Sequence, residues 1–411
     1  MSAVIMTPNA LDSPVDTFCP MYIFLDHNST TPLLDEVAER MTECYQRAYG
    51  NPASQHAAGR QARRVVEDAR ESIAEILGAR MQGRHADRLI FTSGGTEANN
   101  LAILGLAAVN RGMLMVSAIE HPSVSGPAEL LRSRGWRVES LPVDATGVVS
   151  VDQLRQWAGA EKDACVTAAV MLGNNETGVL QPVTELAIIC NEHGIPLHTD
   201  AVQVVGKLPV NFAQLGVATL AFSAHKFHGP RGIGGLLVRG DVELQPVLYG
   251  GFQQSGLRPG TEPVALIAGM HKALEIWQRD QKERQLRIAA LRDRFESGLL
   301  ARVSGAIING SAANRLPHTS NVSFPGLDRR ALAMALDLEG VACSTGSACA
   351  SGSSEPSPVL IAMGLSAEVV AGSLRFSLGA GTTETEIDAA IERIVRIVER
   401  MAERHQRTTL Y

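Results

Sequence analysis

Residues 200–235 read DAVQVVGKLPVNFAQLGVATLAFSAHKFHGPRGIGG. The stretch opens with an acid, Asp200, after an apolar run, and closes on Ser223-Ala224-His225-Lys226 followed by a Gly/Pro turn. Lys226 lies between two histidines and is reached from the apolar segment 219–222. Burial and cationic neighbours lower a lysine's pKa and make its amine a nucleophile toward carbonyls. A surface lysine on a loop fits the same residues, so the rest of the chain has to decide.

At 411 residues the chain is too long for one simple core and predicts two lobes. Its 45% hydrophobic and 19% charged residues describe an ordinary globular protein, and a net charge of −6 without a basic block speaks against nucleic acid as a partner. No apolar run approaches the roughly 18 residues a membrane span needs. No lysine or arginine precedes Arg40, which argues against a secretory or transit peptide, so a cytoplasmic protein is expected. The six cysteines (19, 44, 165, 190, 343 and 349) contain no C-x2-C pair. In a chain of this size that argues against a disulfide framework and against a structural zinc site.

Outward from residue 200, strand and helix patterns alternate. Strands are expected at 22–26, 89–92, 113–117, 166–171 and 195–199, and helices at 33–49 and 60–77, the second closed by Gly78. GNPASQHAAGR, ending at Gly59, reads as a loop between those helices. The strand at 89–92 runs into SGGTEANNLAILGLA, where backbone N–H groups at Gly94, Gly95 and Thr96 would cradle an anion at a helix N-terminus. An ordinary capped helix after a strand is the commoner reading of that motif alone. Five segments place polar residues at strand ends: Thr96, His121, Asn175, Asp200 with Gln203, and Ser223-His225-Lys226. In an open α/β sheet that edge is where ligands bind. Beyond residue 263 a long helix with a mixed-charge, solvated face is expected, then strands at 320–324 and 375–378. A Thr383–Glu386 capping box opens a C-terminal helix.

An amine, a strand-end acid, an anion cradle and a histidine together suggest pyridoxal phosphate (PLP), which needs a lysine for its Schiff base, an acid for its ring nitrogen and a phosphate site. The motifs LDHNSTTP (25–32), GNPASQH (50–56), FTSGGTEANNLAI (91–103), EHPSV (120–124), NNETGV (174–179), HTDAVQ (198–203), SAHKFHGPRGIGGL (223–236), RPGTEPV (258–264), STGSACASG (344–352) and LRFSLG (374–379) stand in order along residues 22–380. In these the chain resembles the cysteine desulfurases of the class V aminotransferase family.

That resemblance implies an α/β chain on the PLP aminotransferase fold. A large domain (34–280) surrounds a mostly parallel seven-stranded sheet, a smaller α+β domain takes 22–33 and 281–411, and residues 1–21 form a mobile tail. It implies that Lys226 carries PLP, that His121 stacks on the ring, that Asp200 meets the ring nitrogen, and that freed Lys226, or a nearby histidine such as His121, removes the Cα proton of the substrate. Asn175 and Gln203 contact the ring-oxygen side. Gly95, Thr96, Ser223 and His225 hold the phosphate. Thr261 reaches the phosphate of a second subunit, so a homodimer with shared sites is implied. Arg375, helped by Asn175, binds the carboxylate of L-cysteine.

Cys349 separates a desulfurase from a transaminase. It lies among small residues, 344–354, that build no core, where a thiolate can meet substrate sulfur and carry it away as a persulfide to an acceptor protein. A cysteine packed as a small hydrophobe is the better reading of Cys165 and Cys190, and Cys343 reads as structural. A selenocysteine lyase, a class V enzyme without persulfide chemistry and a non-catalytic binding module are the rival readings. Retention of Lys226, Cys349 and Arg375 weighs against the last. Pro358 after the cysteine segment, the tail RHQRTTLY and residues 1–21 depart from the family pattern.

Overall fold

The computed structural model describes residues 22–108, 112–160, 165–346 and 355–409. In chain order its elements are β1 (Ile23–Phe24), α1 (Asp35–Arg47), α2 (Ala57–Ile76), β2 (Arg88–Thr92), α3 (Gly95–Ala107), β3 (Met113–Ser117), α4 (Pro122–Ser133) and β4 (Arg137–Leu141). Then come α5 (Val151–Ala160), β5 (Cys165–Ala169), α6 (Val183–Glu192), β6 (Leu197–Asp200), α7 (Phe212–Leu215), β7 (Thr219–Ser223) and β8 (Gly234–Val238). The rest is α8 (Val264–Arg302), β9 (Ile307–Ile308), β10 (Thr319–Ser323), α9 (Arg329–Leu338), β11 (Val341–Ala342), α10 (Pro358–Ala362), α11 (Ala367–Ala371), β12 (Ser373–Ser377) and α12 (Glu384–Thr409).

Seven strands form the main sheet in the order β2-β8-β7-β6-β5-β3-β4. Pairings from β7 through β4 are parallel, and β8 runs antiparallel to both neighbours. The strands β3 (MLMVS) and β7 (TLAFS) are buried along their whole length, whereas the edge strand β4 (RVESL) is exposed or half-buried except at Leu141. Strand β8 lies in the glycine-rich stretch read from sequence as a turn. Gly235 is required there, since a Cβ would meet the Phe222 ring at 2.4 Å. Helix α2 starts before Gly59, not after it, because His56 caps it by accepting from the Gly59 amide at 3.2 Å. Its end is as expected, at Gly78 with φ +68°.

Two hydrophobic cores are distinct. One packs the main sheet against its helices, and Ile267, Met270, Leu274 and Trp277 bring the first half of α8 into it. The other gathers Ile23, Leu25, Val322, Phe376 and Ile394 around Ile288, Phe295 and Leu299 from the second half of the same helix. Short strands bind the ends of the chain together. Ile23 pairs with Val341 and Asp26 bridges Ser377, beside the antiparallel β12-β10-β9 sheet. The capping box forms as the sequence predicts, with Thr383 N donating to Glu386 (2.8 Å) and Glu386 N to Thr383 Oγ1 (3.2 Å).

Candidate active site

The carboxyl ends of β3, β5, β6 and β7 open onto a cleft of about 160 Å³. It brings together Gly95, Thr96, His121, Asn175, Asp200, Gln203, Ser223, His225, Lys226 and Arg375. Two expected residues are not among them. Thr261 is exposed and lies outside this cleft of its own chain. Cys349 lies outside the described residues. The sequence reading gave no role to Asn28, Ser29, Ser123, Met171 and Val202, which also line the cleft.

The floor is a continuous hydrogen-bond chain. Thr219 Oγ1 meets His198 Nδ1 (2.8 Å), and His198 Nε2 meets Asn99 Oδ1 (3.0 Å). Asn99 Nδ2 donates to Asp200 Oδ2 (2.7 Å) and Ser123 Oγ (2.8 Å), and Ser123 Oγ lies 2.8 Å from His121 Nδ1. Donor and acceptor roles then follow in sequence. Asn99 gives its N–H bonds to Asp200 and Ser123, so its oxygen takes the His198 Nε2 proton, and Ser123 donates onward to His121. Burial holds His198 neutral by pushing its pKa down to about 3. The Val202 amide binds the other Asp200 oxygen at 2.9 Å. His121 Nδ1 also accepts from the Ser123 amide at 3.1 Å, which leaves the proton of a neutral His121 ring on Nε2.

The facing wall comes from the second core. Lys226 Nζ donates to the carbonyls of Asn28 (2.6 Å) and Ser29 (2.7 Å). Asn28 is held in turn by Ser377 Oγ, Thr319 Oγ1 and the Asn175 carbonyl. Arg375 is buried and donates to Asn175 O (3.1 Å), Asp26 Oδ1 (2.7 Å) and Ser29 Oγ (2.9 Å). Its Nε is buried without a hydrogen bond. Ser344 exchanges both backbone bonds with Arg375 (3.0 and 2.7 Å), and Ser357 donates to the buried Glu176 carboxylate at 2.6 Å. The segment carrying Cys349 therefore leaves from and returns to the rim of this cleft. Cys343 itself is desolvated, which pushes its thiol up to about 12 and suits the structural role read from sequence.

At one end of the cleft α3 begins. Its first amides precede any i→i−4 bond and face the cleft with the positive end of the helix dipole. Gly94 has φ +157°, and a Cβ on Gly95 would stand 2.7 Å from Val202. Glycine thus lets backbone donors approach where a side chain would block them. His225 is held neutral, its pKa lowered to about 4 by burial and then by the Lys226, Lys207 and Arg231 charges. Glu120, beside His121 but outside the cleft, is desolvated to a pKa of about 8, with Ser117 and the Met171 amide opposing the shift.

Behind Lys226 lies a second cavity of about 40 Å³, with His27, His228, His318, Lys207, Arg284 and Gln285 among its walls. His228 is satisfied on both nitrogens, by Pro32 O and the Ala380 amide, in keeping with a structural role. Among the described residues no group of histidine, cysteine and carboxylate side chains is arranged to hold a metal ion. No described helix is long and apolar enough to cross a membrane.

The sequence profile of the aminotransferase class-V family matches residues 23–390. A cysteine desulfurase IscS from Dictyoglomus turgidum is 42% identical over 382 residues, 92% of this chain and 95% of the relative. A solved NifS-like protein superimposes with a TM-score of 0.84 at 33% identity, covering 92% of this chain and all of its own. A structure described as SspA in complex with cysteine gives a TM-score of 0.74 at 31% identity, over 88% of this chain and 100% of its own.

Proposed function

The chain belongs to the class V aminotransferase family, and from that footing we infer that it is a PLP-dependent cysteine desulfurase. It converts L-cysteine to L-alanine and passes the sulfur to Cys349. The observation that carries this reading is the meeting of Lys226, Asp200 and Arg375 in one cleft with an anion cradle at its end. The residues present fit the cofactor: an amine, an anchored carboxylate, and a glycine-lined helix start beside Ser223. When bound, PLP supplies an electron sink for breaking the Cα–H bond of the amino acid.

The protein residues divide the remaining work. Lys226 Nζ would hold the cofactor covalently, and its free amine would take the Cα proton of the substrate. Asp200, fixed by Asn99 and Val202, holds the proton of the ring nitrogen. Gly95, Thr96, Ser223 and His225 bind the phosphate, and Asn175 and Gln203 face the ring oxygen. His121, with its proton on Nε2, stacks on the ring and offers that N–H as a hydrogen-bond donor, which leaves proton abstraction to Lys226. Arg375 receives the substrate carboxylate through its guanidinium fork. The Cys349 thiolate attacks the substrate sulfur: an S–S bond forms, the C–S bond breaks, and the electron pair of that bond takes up a proton at carbon in alanine. Anchorage of the segment's ends at Arg375 and Glu176 supports this reach.

Thr261 serves the phosphate of a second subunit. Support comes from its exposure and from the nearby Tyr249 (86% exposed) and Phe252 (95%), large apolar surfaces suited to burial in a homodimer. The two cores support a division into 34–280 and 22–33 with 281–411. A sulfur-acceptor protein completes the cycle. Mass spectrometry after incubation with L-cysteine tests the reading: one added sulfur is expected, on Cys349. An added sulfur confined to another cysteine, or parent-rate sulfide release by Cys349→Ser, overturns it.

A further inference from the structure

Lys207 has no part in the chemistry above, yet it stands directly behind the cleft. Its side chain is partly buried, and its Nζ donates to Gln203 Oε1 at 2.8 Å. Gln203 Nε2 donates to the Asn28 carbonyl at 3.0 Å, the same oxygen that accepts from Lys226 Nζ at 2.6 Å. Lys207 thus reaches Lys226 through one side-chain amide and one carbonyl. We propose that Lys207 is a positioning residue of the active site, fixing the Gln203 amide so that its N–H edge faces Asn28 and the cleft. The cleft then presents a donor, not an acceptor, to the ring oxygen of the cofactor. This inference rests on the cofactor reading above.

The physical case is that a carboxamide has two unlike ends. Turned by half a rotation, Gln203 would set its oxygen against the Asn28 carbonyl and its N–H bonds against those of Lys207. Both neighbours oppose that state, so the orientation is specified twice. Lys207 does nothing else of comparable specificity. No carboxylate lines the cavity behind it, and His27 Nδ1 and His318 Nδ1 there are buried without hydrogen bonds. Around it stand Lys226, Arg375, His318, His27, His225 and His228. Desolvation, then the Lys226 and Arg375 charges, push its pKa well below the usual lysine value. An amine buried beside the Lys226 and Arg375 charges and among neutral histidines, with a neutral amide oxygen as its partner, is costly as structure alone. Orientation of a cofactor-facing amide gives it a function.

A double-mutant cycle on the PLP-loaded enzyme tests this. The readouts are the rate of cofactor release and the pH midpoint of the cofactor's visible absorption. Lys207→Met is expected to speed release by about three- to tenfold, the worth of one buried hydrogen bond, and to move the midpoint. Lys207→Arg, which keeps an N–H for Oε1, is expected to restore both. In a Gln203→Leu background Lys207→Met is expected to change neither further. If Lys207→Met does not fold, Lys207→Leu carries the same cycle. Equal effects in the two backgrounds would mean Lys207 acts by charge or packing, and overturn the proposal. Parent values in Lys207→Met overturn it equally. Absence of the absorption band in the parent enzyme would instead overturn the cofactor reading, and this proposal with it.

Discussion

The floor and the facing wall of the cleft are built in opposite ways. The floor is the edge of one sheet. Asp200, Ser223 and the residues after β3 and β5 sit where adjacent parallel strands stop, and the chain from Thr219 to His121 satisfies its polar groups in sequence. The wall is assembled from distant pieces. Asn28 bonds to Ser377, Thr319 and Asn175, at separations of 349, 291 and 147 residues. The floor is therefore fixed within the main sheet and its helices, whereas the wall exists only when these meet the second core. On the proposed function, the difference divides tasks: fixed electrostatics on the floor, and substrate recognition on the wall.

Lys226 joins the two, being rooted in the floor and bonded to the wall, so its loss should have the largest effect. Lys226→Ala is expected to abolish the cofactor's covalent absorption band and lower turnover by at least about 10³-fold. Persistence of the band would disprove the anchor role. Arg375→Lys strikes the wall alone. A single ammonium cannot reproduce the fork, so KM for L-cysteine is expected to rise about 10- to 100-fold with a smaller change in kcat. A fall in kcat with KM unmoved would mean that the wall does chemistry and the division is wrong.

Asn99→Leu strikes the floor alone. It removes one donor from Asp200 and leaves His198 Nε2 without its acceptor, so kcat is expected to fall about tenfold at nearly constant KM. A changed KM would blur the contrast. The smallest change is Asn28→Ala. The backbone carbonyl that holds Lys226 remains, but three side-chain bonds go, one of them to the Asn175 carbonyl in the other lobe and two to Thr319 and His318 in its own. A loss of about 1–3 kcal/mol in stability is expected in thermal or urea unfolding, with cofactor absorption kept. Unchanged stability would show that the wall does not depend on this contact.

The same division governs what could be read from sequence. Floor residues follow apolar runs by one to a few positions, so Asp200, His121 and Lys226 stood out as polar groups at strand ends. Asn99 was within reach, since it lies one turn past Gly95 on an otherwise apolar helix face, but a single asparagine in a helix carries no mark of its partner. Asn28 and Ser29 act on Lys226 through backbone carbonyls, which every residue possesses. Lys207 looked like any lysine until Gln203 was found beside it. The direction of β8 was hidden for another reason. Glycines that admit the Phe222 ring also resemble a turn. The capping box at Thr383 was legible because both of its bonds lie within four residues.

The pairing of the chain's beginning with its end also sets a schedule for synthesis. The amide of Asn28 waits for Ser377, 349 residues later. At roughly 5–20 residues per second that is on the order of half a minute on the ribosome. During this interval the main sheet can form with Lys226 and Asp200 in place, but Arg375 has not yet been made. The nascent protein can therefore hold a reactive amine before it can select an amino acid.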